Sequence, residues 1–353
     1  AYPLSEVTRH FDNMMPLISG PSLEAKDALR RIIEEAERLF CPFPAGYFKE
    51  GYGPRPRRSS GFMFITRPVS EGRVQEAFLI LEGESNKEII AKTHACVQKF
   101  RFDKKHFLPS LRTPVGLNRI NVTDLHDYVA REPYENMERI MELCNFRGEL
   151  SEDYWSSYIN TEFERSTSYA AVIRRINPYS PNQMLIAYYS DIPLVLANTF
   201  HVIYERDNKR AKAIVTLLNS IFFLAYFFNI KEETTGRYTE IRHYDLYEMK
   251  LYPLQKHVEA LAKVFDKYKD VEFPALRVQF DKHFDKRYEW FWKRERKGEE
   301  LKKPPQIQPH ELRLEFDMDV IKAVGGSLTE EDVRRAYKAI IWDMIITRGL
   351  RKD

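Results

Sequence analysis

Two groups of cationic and aromatic side chains carry the chemistry this sequence offers. In the first, Arg55, Arg57, Arg58, Arg67 and Arg73 face a single acid, Glu71, between Tyr52 and Arg73. Arg55, Arg57 and Arg58 sit in GYGPRPRRSSG, a Gly/Pro/Ser run that holds no regular element. Guanidinium groups on such a loop can contact phosphate or enter a minor groove; the competing reading is a solvated basic loop. In the second group, Lys231, Arg237, Tyr238, Arg242, His243 and Tyr244 follow the most apolar run of the chain. Arginine there can pair with guanine edges in a major groove. Glu232, Glu233 and Glu240 are interleaved, so a charge-balanced strand face is the plainer alternative. Arg174 and Arg175, at the end of an expected strand, make a third point of positive charge.

Other chemistry is poorly supported. Cys41, Cys96 and Cys144 are far apart and show no C-x-x-C or Cys/His spacing, which argues against zinc and against a disulfide framework. Reduced thiols of a cytoplasmic protein are the expectation. G-x-S-x-G, P-loop and H-E-x-x-H patterns do not occur. Asp281, Asp285 and Asp317 are scattered carboxylates that a metal-dependent nucleic-acid enzyme would have to gather. The chain opens on Ala1, not Met, which reads as part of a longer product, and its first residues lack the basic-then-apolar plan of a signal peptide.

The elements that must position these groups follow from composition and period. With 353 residues, 43% apolar, the chain can build a real core. Lys and Arg number 55 against 52 Asp and Glu, a net charge of +3, which excludes a uniformly basic coat and allows a local basic face. Thr199–Tyr204 alternates as a half-buried strand, and Glu205–Arg210 is a charged turn. Between Lys212 and Asn229 only Thr216, Asn219 and Ser220 are polar. That run is shorter than the ~20 apolar residues of a membrane span, so Ala211–Phe228 is expected to be one helix buried on nearly every side, with no membrane partner. Arg237–Lys250 is expected to alternate as a strand. Elsewhere Pro21–Phe40 spaces Leu29, Ile32, Ile33 and Ala36 as an amphipathic helix with Ser22 as N-cap. Gln255–Tyr268, Val278–Gly298 and Asn86–Val97 read as helices. Ala170–Arg175 and Met184–Tyr189 read as strands, with Asn177, Pro178 and Tyr179 in a turn between them.

The order strand, helix with Leu217-Leu218-Asn219-Ser220, turn with Gly236-Arg237, then Asp245-Leu246 and Pro253 resembles the target-recognition region of adenine-specific DNA methyltransferases. It is also similar to the specificity subunits of type I restriction systems. Leu108-Pro109-Ser110-Leu111-Arg112, Val122, Asp127 and Tyr128 resemble a second recurrent piece. Asp317, Asp319, Val320, Ile321, Val324 and Gly325, followed by an acidic-capped helix from Thr329, resemble the family's helical tail. The resemblance covers Phe107 to Leu350 with gaps. It implies binding of double-stranded DNA and a methylase domain or subunit as partner. S-adenosylmethionine would be held by that methylase half and not by this chain. The family's catalytic loop is matched only by Asn177-Pro178-Tyr179, one proline short, and Gly325-Gly326 has no βαβ unit after it.

The expectation is therefore an α+β chain, with mixed sheet domains around a buried central helix and a helical C-terminal tail. Residues 1–134 form an N-terminal α/β region with the arginine loop, 135–300 a target-recognition-like domain, and 301–353 a linker and tail. DNA contact is assigned to Arg55, Arg57, Arg58, Arg174, Arg175, Lys231, Arg237, Tyr238, Arg242 and His243, with no catalytic or metal-ligating residue. The rival readings are a protein-interaction scaffold that kept the fold, and the metal-dependent nucleic-acid enzyme.

Overall fold

Strand-forming and helix-forming segments are interspersed along the chain, and a computed structural model describes residues 22–52, 60–94, 97–145, 150, 154–230, 239–295 and 306–350. Helix α1 (Ser22–Leu39) leads into β1 (Phe40–Pro42) and β2 (Phe48–Glu50). Next come β3 (Phe64–Thr66), α2 (Glu71–Gln75), β4 (Leu79–Glu84), β5 (Glu88–Thr93) and β6 (Lys99–Asp103). They are followed by β7 (Phe107–Leu111), β8 (Asp127–Ala130), α3 (Met137–Leu143) and α4 (Asn160–Ser166). Four strands come next: β9 (Thr167–Ile173), β10 (Arg175–Ile176), β11 (Ala187–Leu196) and β12 (Phe200–Ile203). The central stretch then runs through α5 (Asn208–Leu218), α6 (Ile221–Ile230), β13 (Thr239–Glu240), α7 (His243–Glu248), β14 (Lys250–Pro253) and α8 (Gln255–Tyr268). Helices α9 (Leu276–Phe280), α10 (Phe284–Glu295), α11 (Glu311–Ala323) and α12 (Glu330–Leu350) complete it. The α+β class and the helical C-terminal segment are as expected.

Ten strands form one mixed sheet in the order β2-β12-β9-β11-β7-β8-β3-β4-β5-β6. Strands β11 and β7 pair in parallel, as do β3 and β4, and the other pairs are antiparallel. Because side chains alternate along a strand, the sheet serves two apolar clusters. Leu194 and Leu196 of β11 enter the larger one with α1, α5, α6, α8, α11 and α12. Val195 and Ala197 enter the smaller one with residues of β3–β6, α3 and α4.

The apolar run is two helices, not one. The chain bends by 53° between α5 and α6, and side chains satisfy the main-chain groups that the break exposes. The Asn219 amide oxygen accepts from the N–H groups of Ile186 (2.8 Å) and Ala187 (3.2 Å). Its nitrogen donates to the carbonyls of Ala187 (2.7 Å) and Val215 (3.0 Å). Asp317 accepts from the Ile221 N–H at 2.8 Å, and Arg313 donates to the Asn219 carbonyl at 2.8 Å. Arg313 and Asp317 are themselves a buried ion pair at 2.8 Å. From Ala211 to Phe228 every residue except Lys212 is buried, as an all-round apolar segment requires. Among the described residues no single helix is long and apolar enough to cross a membrane; the bent pair passes that test only jointly.

Three other expectations are corrected. Glu88–Thr93 is a strand, not helix: Ile89, Ala91 and Thr93 alternate inward while β4 and β6 pair on its two sides. The expected strand Arg237–Lys250 is interrupted: Thr239 and Glu240 form β13, His243–Glu248 coils into α7 and Lys250 opens β14, while Arg237 and Tyr238 lie outside the described residues. The expected helix Val278–Gly298 is split at Asp281, whose carboxylate takes Arg287 at 2.5 Å and the Gln308 N–H at 3.3 Å. Helix α12 starts one residue after Thr329, where Thr329 and Asp332 cap each other's N–H groups at 3.3 and 2.9 Å. It packs on α1 through Arg31–Asp332 at 2.6 Å, and Glu35 accepts from the Ser327 N–H at 2.6 Å beside it.

Candidate nucleic-acid interface

Four of the ten assigned residues lie in one place, around the antiparallel ribbon β10–β13. Arg175 stands opposite Glu240 and Ile176 opposite Thr239. The Ile241 N–H donates to the Arg174 carbonyl at 2.7 Å, which fixes the chain just before Arg242 and His243. Arg175, Arg242 and His243 are exposed. Arg55, Arg57, Arg58, Lys231, Arg237 and Tyr238 lie outside the described residues.

Arg174 has a different role from its neighbour. Its guanidinium contacts Glu50 and Glu240, both at 3.1 Å, and the Asn198 carbonyl at 3.3 Å, and its side chain is 19% exposed. It clamps the ribbon to β2, and in doing so engages two carboxylates that would otherwise repel an anionic ligand.

Helix α7 presents the remaining groups. The Arg242 N–H donates to Asp245 at 2.7 Å, closing the first turn. The Arg242 guanidinium lies 5.4 Å from the Tyr244 ring centroid and donates to its hydroxyl. The His243 ring stands edge-on to Tyr244, with centroids 5.8 Å apart. On the inner side Leu246 is fully buried. The Tyr247 hydroxyl accepts from the Phe48 N–H at 2.9 Å and donates back to its carbonyl at 3.4 Å. Tyr247 thereby occupies the open edge of β2, the end strand of the sheet, and blunts a strand edge that would otherwise be free to pair. Beneath the ribbon, buried His201 donates from Nε2 to the Ile241 carbonyl at 2.7 Å. Desolvation lowers its pKa to about 4, so the ring is neutral at physiological pH.

The rest of the first arginine group is structural where it is described. Arg73 is wholly buried, paired with Asp127 at 2.5 Å and donating to the Thr113 carbonyl at 2.5 Å. Asp127 also accepts the main-chain N–H groups of Arg67 (2.9 Å) and Arg112 (3.0 Å). Arg67 pairs with Glu84 at 2.6 Å. These two arginines knit β3, α2 and β8 together.

The carboxylates of the nuclease reading are likewise engaged. Asp281 is paired with Arg287, Asp285 with Arg277 at 3.0 Å, and Asp317 with Arg313. Among the described residues no three His, Cys, Asp or Glu side chains converge as a metal would need. Asn177-Pro178-Tyr179 is a turn, as expected: Asn177 accepts the Tyr179 N–H on its side chain and the Ser180 N–H on its carbonyl. Gly325, at φ +64°, ends α11, and the Gly326 N–H returns to the Ile321 carbonyl at 2.8 Å.

No family model matches the sequence, and no curated protein matches it. Among solved structures the chain is similar to the type IIG restriction endonuclease BpuSI, with 10% sequence identity and a TM-score of 0.49. The match covers 93% of this chain and 34% of that one, so the chain spans about a third of that enzyme's length.

Proposed function

We propose that this chain binds double-stranded DNA at a chosen sequence and positions a target adenine for an S-adenosylmethionine-dependent methylase carried elsewhere, on the same product or on a partner. The observation behind the reading is that Arg175 of β10, and Arg242 and His243 just after β13, are exposed while Arg174 engages the nearby Glu50 and Glu240. Lys231, Arg237 and Tyr238 precede β13 in the sequence and lie outside the described residues. Exposed cations suit phosphate and guanine edges. The Leu-Asn-Ser motif supports the fold of this region and not the contact itself, since Asn219 is buried and spent on main-chain bonds.

The test is selection from a random duplex library at near-physiological salt, followed by sequencing. An enriched motif with an invariant adenine is the expected result. Binding without enrichment would reduce the function to phosphate contact, and no binding would refute it.

A further inference from the structure

Taking the DNA-binding reading as its basis, we infer that Tyr244 is a specificity-determining residue, whose ring packs on the apolar face or methyl group of a base at the recognised site. Only three large apolar side chains are strongly exposed among the described residues, and Tyr244, at 44%, carries the Arg242 guanidinium beside its ring. No core requirement places it outward, because the same short helix buries Leu246 instead. The ring is also held in place. Arg242 lies 5.4 Å from its centroid and donates to its hydroxyl, and the His243 ring stands 5.8 Å away on another side. Helix α7 itself is pinned to the sheet by Leu246 and by the Tyr247 bridge to Phe48. A pre-positioned aromatic ring loses little freedom on binding.

Charge decides the kind of partner. An exposed ring beside the Arg242 guanidinium matches a ligand that offers anionic groups next to flat apolar surfaces. DNA supplies phosphates alongside base faces and thymine methyl groups.

The experiment compares wild type, Tyr244→Ala and Tyr244→Phe on the selected duplex and on a scrambled one, across salt concentrations. Tyr244→Ala is expected to bind the selected duplex about tenfold more weakly and the scrambled duplex nearly as well as wild type. Its salt slope should be unchanged, because no phosphate contact is lost. Tyr244→Phe keeps the ring and should stay close to wild type. Two further duplexes distinguish the source of the contact. Loss on replacing thymine by deoxyuracil identifies a methyl group, and a rise in 2-aminopurine fluorescence identifies an unstacked base. Equal affinity of Tyr244→Ala and wild type for the selected duplex, or equal loss on both duplexes, overturns this inference alone. Absence of duplex binding by wild type overturns the functional reading and this inference with it.

Discussion

Replacing Asn219 by Ala tests how the centre of the molecule is held. The side chain makes four main-chain hydrogen bonds, and two of its partners, the N–H and carbonyl of Ala187, start strand β11. In Asn219→Ala the N–H groups of Ile186 and Ala187 and the carbonyl of Ala187 lose this buried partner. An unsatisfied buried main-chain group costs about 1–3 kcal/mol, and relaxation recovers part of it, so the expected loss is about 3–6 kcal/mol. Against a total stability of about 5–15 kcal/mol that is severe. With a urea slope of about 3 kcal/mol/M it lowers the unfolding midpoint by about 1–2 M. The control is Asn177→Ala, whose side chain makes one turn bond at 3.3 Å and should cost less than about 1 kcal/mol. Asn219→Asp keeps the acceptor but turns anionic oxygens toward two carbonyls, and should be at least as damaging. If Asn219→Ala unfolds within about 1 kcal/mol of wild type, the claim that this amide organises the helix break is wrong.

Other outcomes follow from the same contacts. His201 stays neutral in the folded chain down to about pH 4, whereas in the unfolded chain it takes a proton near 6.5. Stability should therefore fall as pH drops through that window, by up to about 3 kcal/mol. His201→Gln, which can still donate to the Ile241 carbonyl, should remove that share of the slope; parallel urea midpoints at pH 7, 6 and 5 would contradict this. Arg73→Ala leaves Asp127 buried without its charge partner and should lower stability by about 3–5 kcal/mol, read by thermal unfolding. Arg175→Ala and Arg242→Ala should each reduce the salt slope of DNA binding by about 1, measured by fluorescence anisotropy. Arg174→Ala should instead lower stability by freeing Glu50 and Glu240.

Elements with enough turns or enough alternation were legible in the sequence. Gln255–Tyr268 is helical over the range that its period indicates, and Phe200–Ile203 is the strand that its alternation indicates. The break at Asn219–Ser220 was not legible as a break, because the groups that stabilise it come from Ala187, Arg313 and Asp317. Helix α7 has six residues, too few to show a helical period, and is held by Leu246 and Tyr247 through partners distant in sequence. In the candidate site, the sequence could name cations but not their burial. Arg67 and Arg73 share a segment with Arg55, Arg57 and Arg58, yet Asp127 and Glu84 draw them into the structure. Arg174 and Arg175 are neighbours, and only strand alternation next to Glu50 and Glu240 separates the clamp from the exposed side chain.

The pairing of α1 with α12 sets the order of events during synthesis. Helix α1 leaves the ribosome before α12 with Leu29, Ile32 and Ala36 uncovered on one side, and part of the surface that buries them is about 300 residues downstream in α12. At about 5–20 residues per second that interval is about 15–60 s. Throughout it an apolar helical stripe is available to chaperones or to other nascent copies. A chain truncated before Glu330 leaves uncovered the part of that stripe that α12 packs on, while α6 still covers another part.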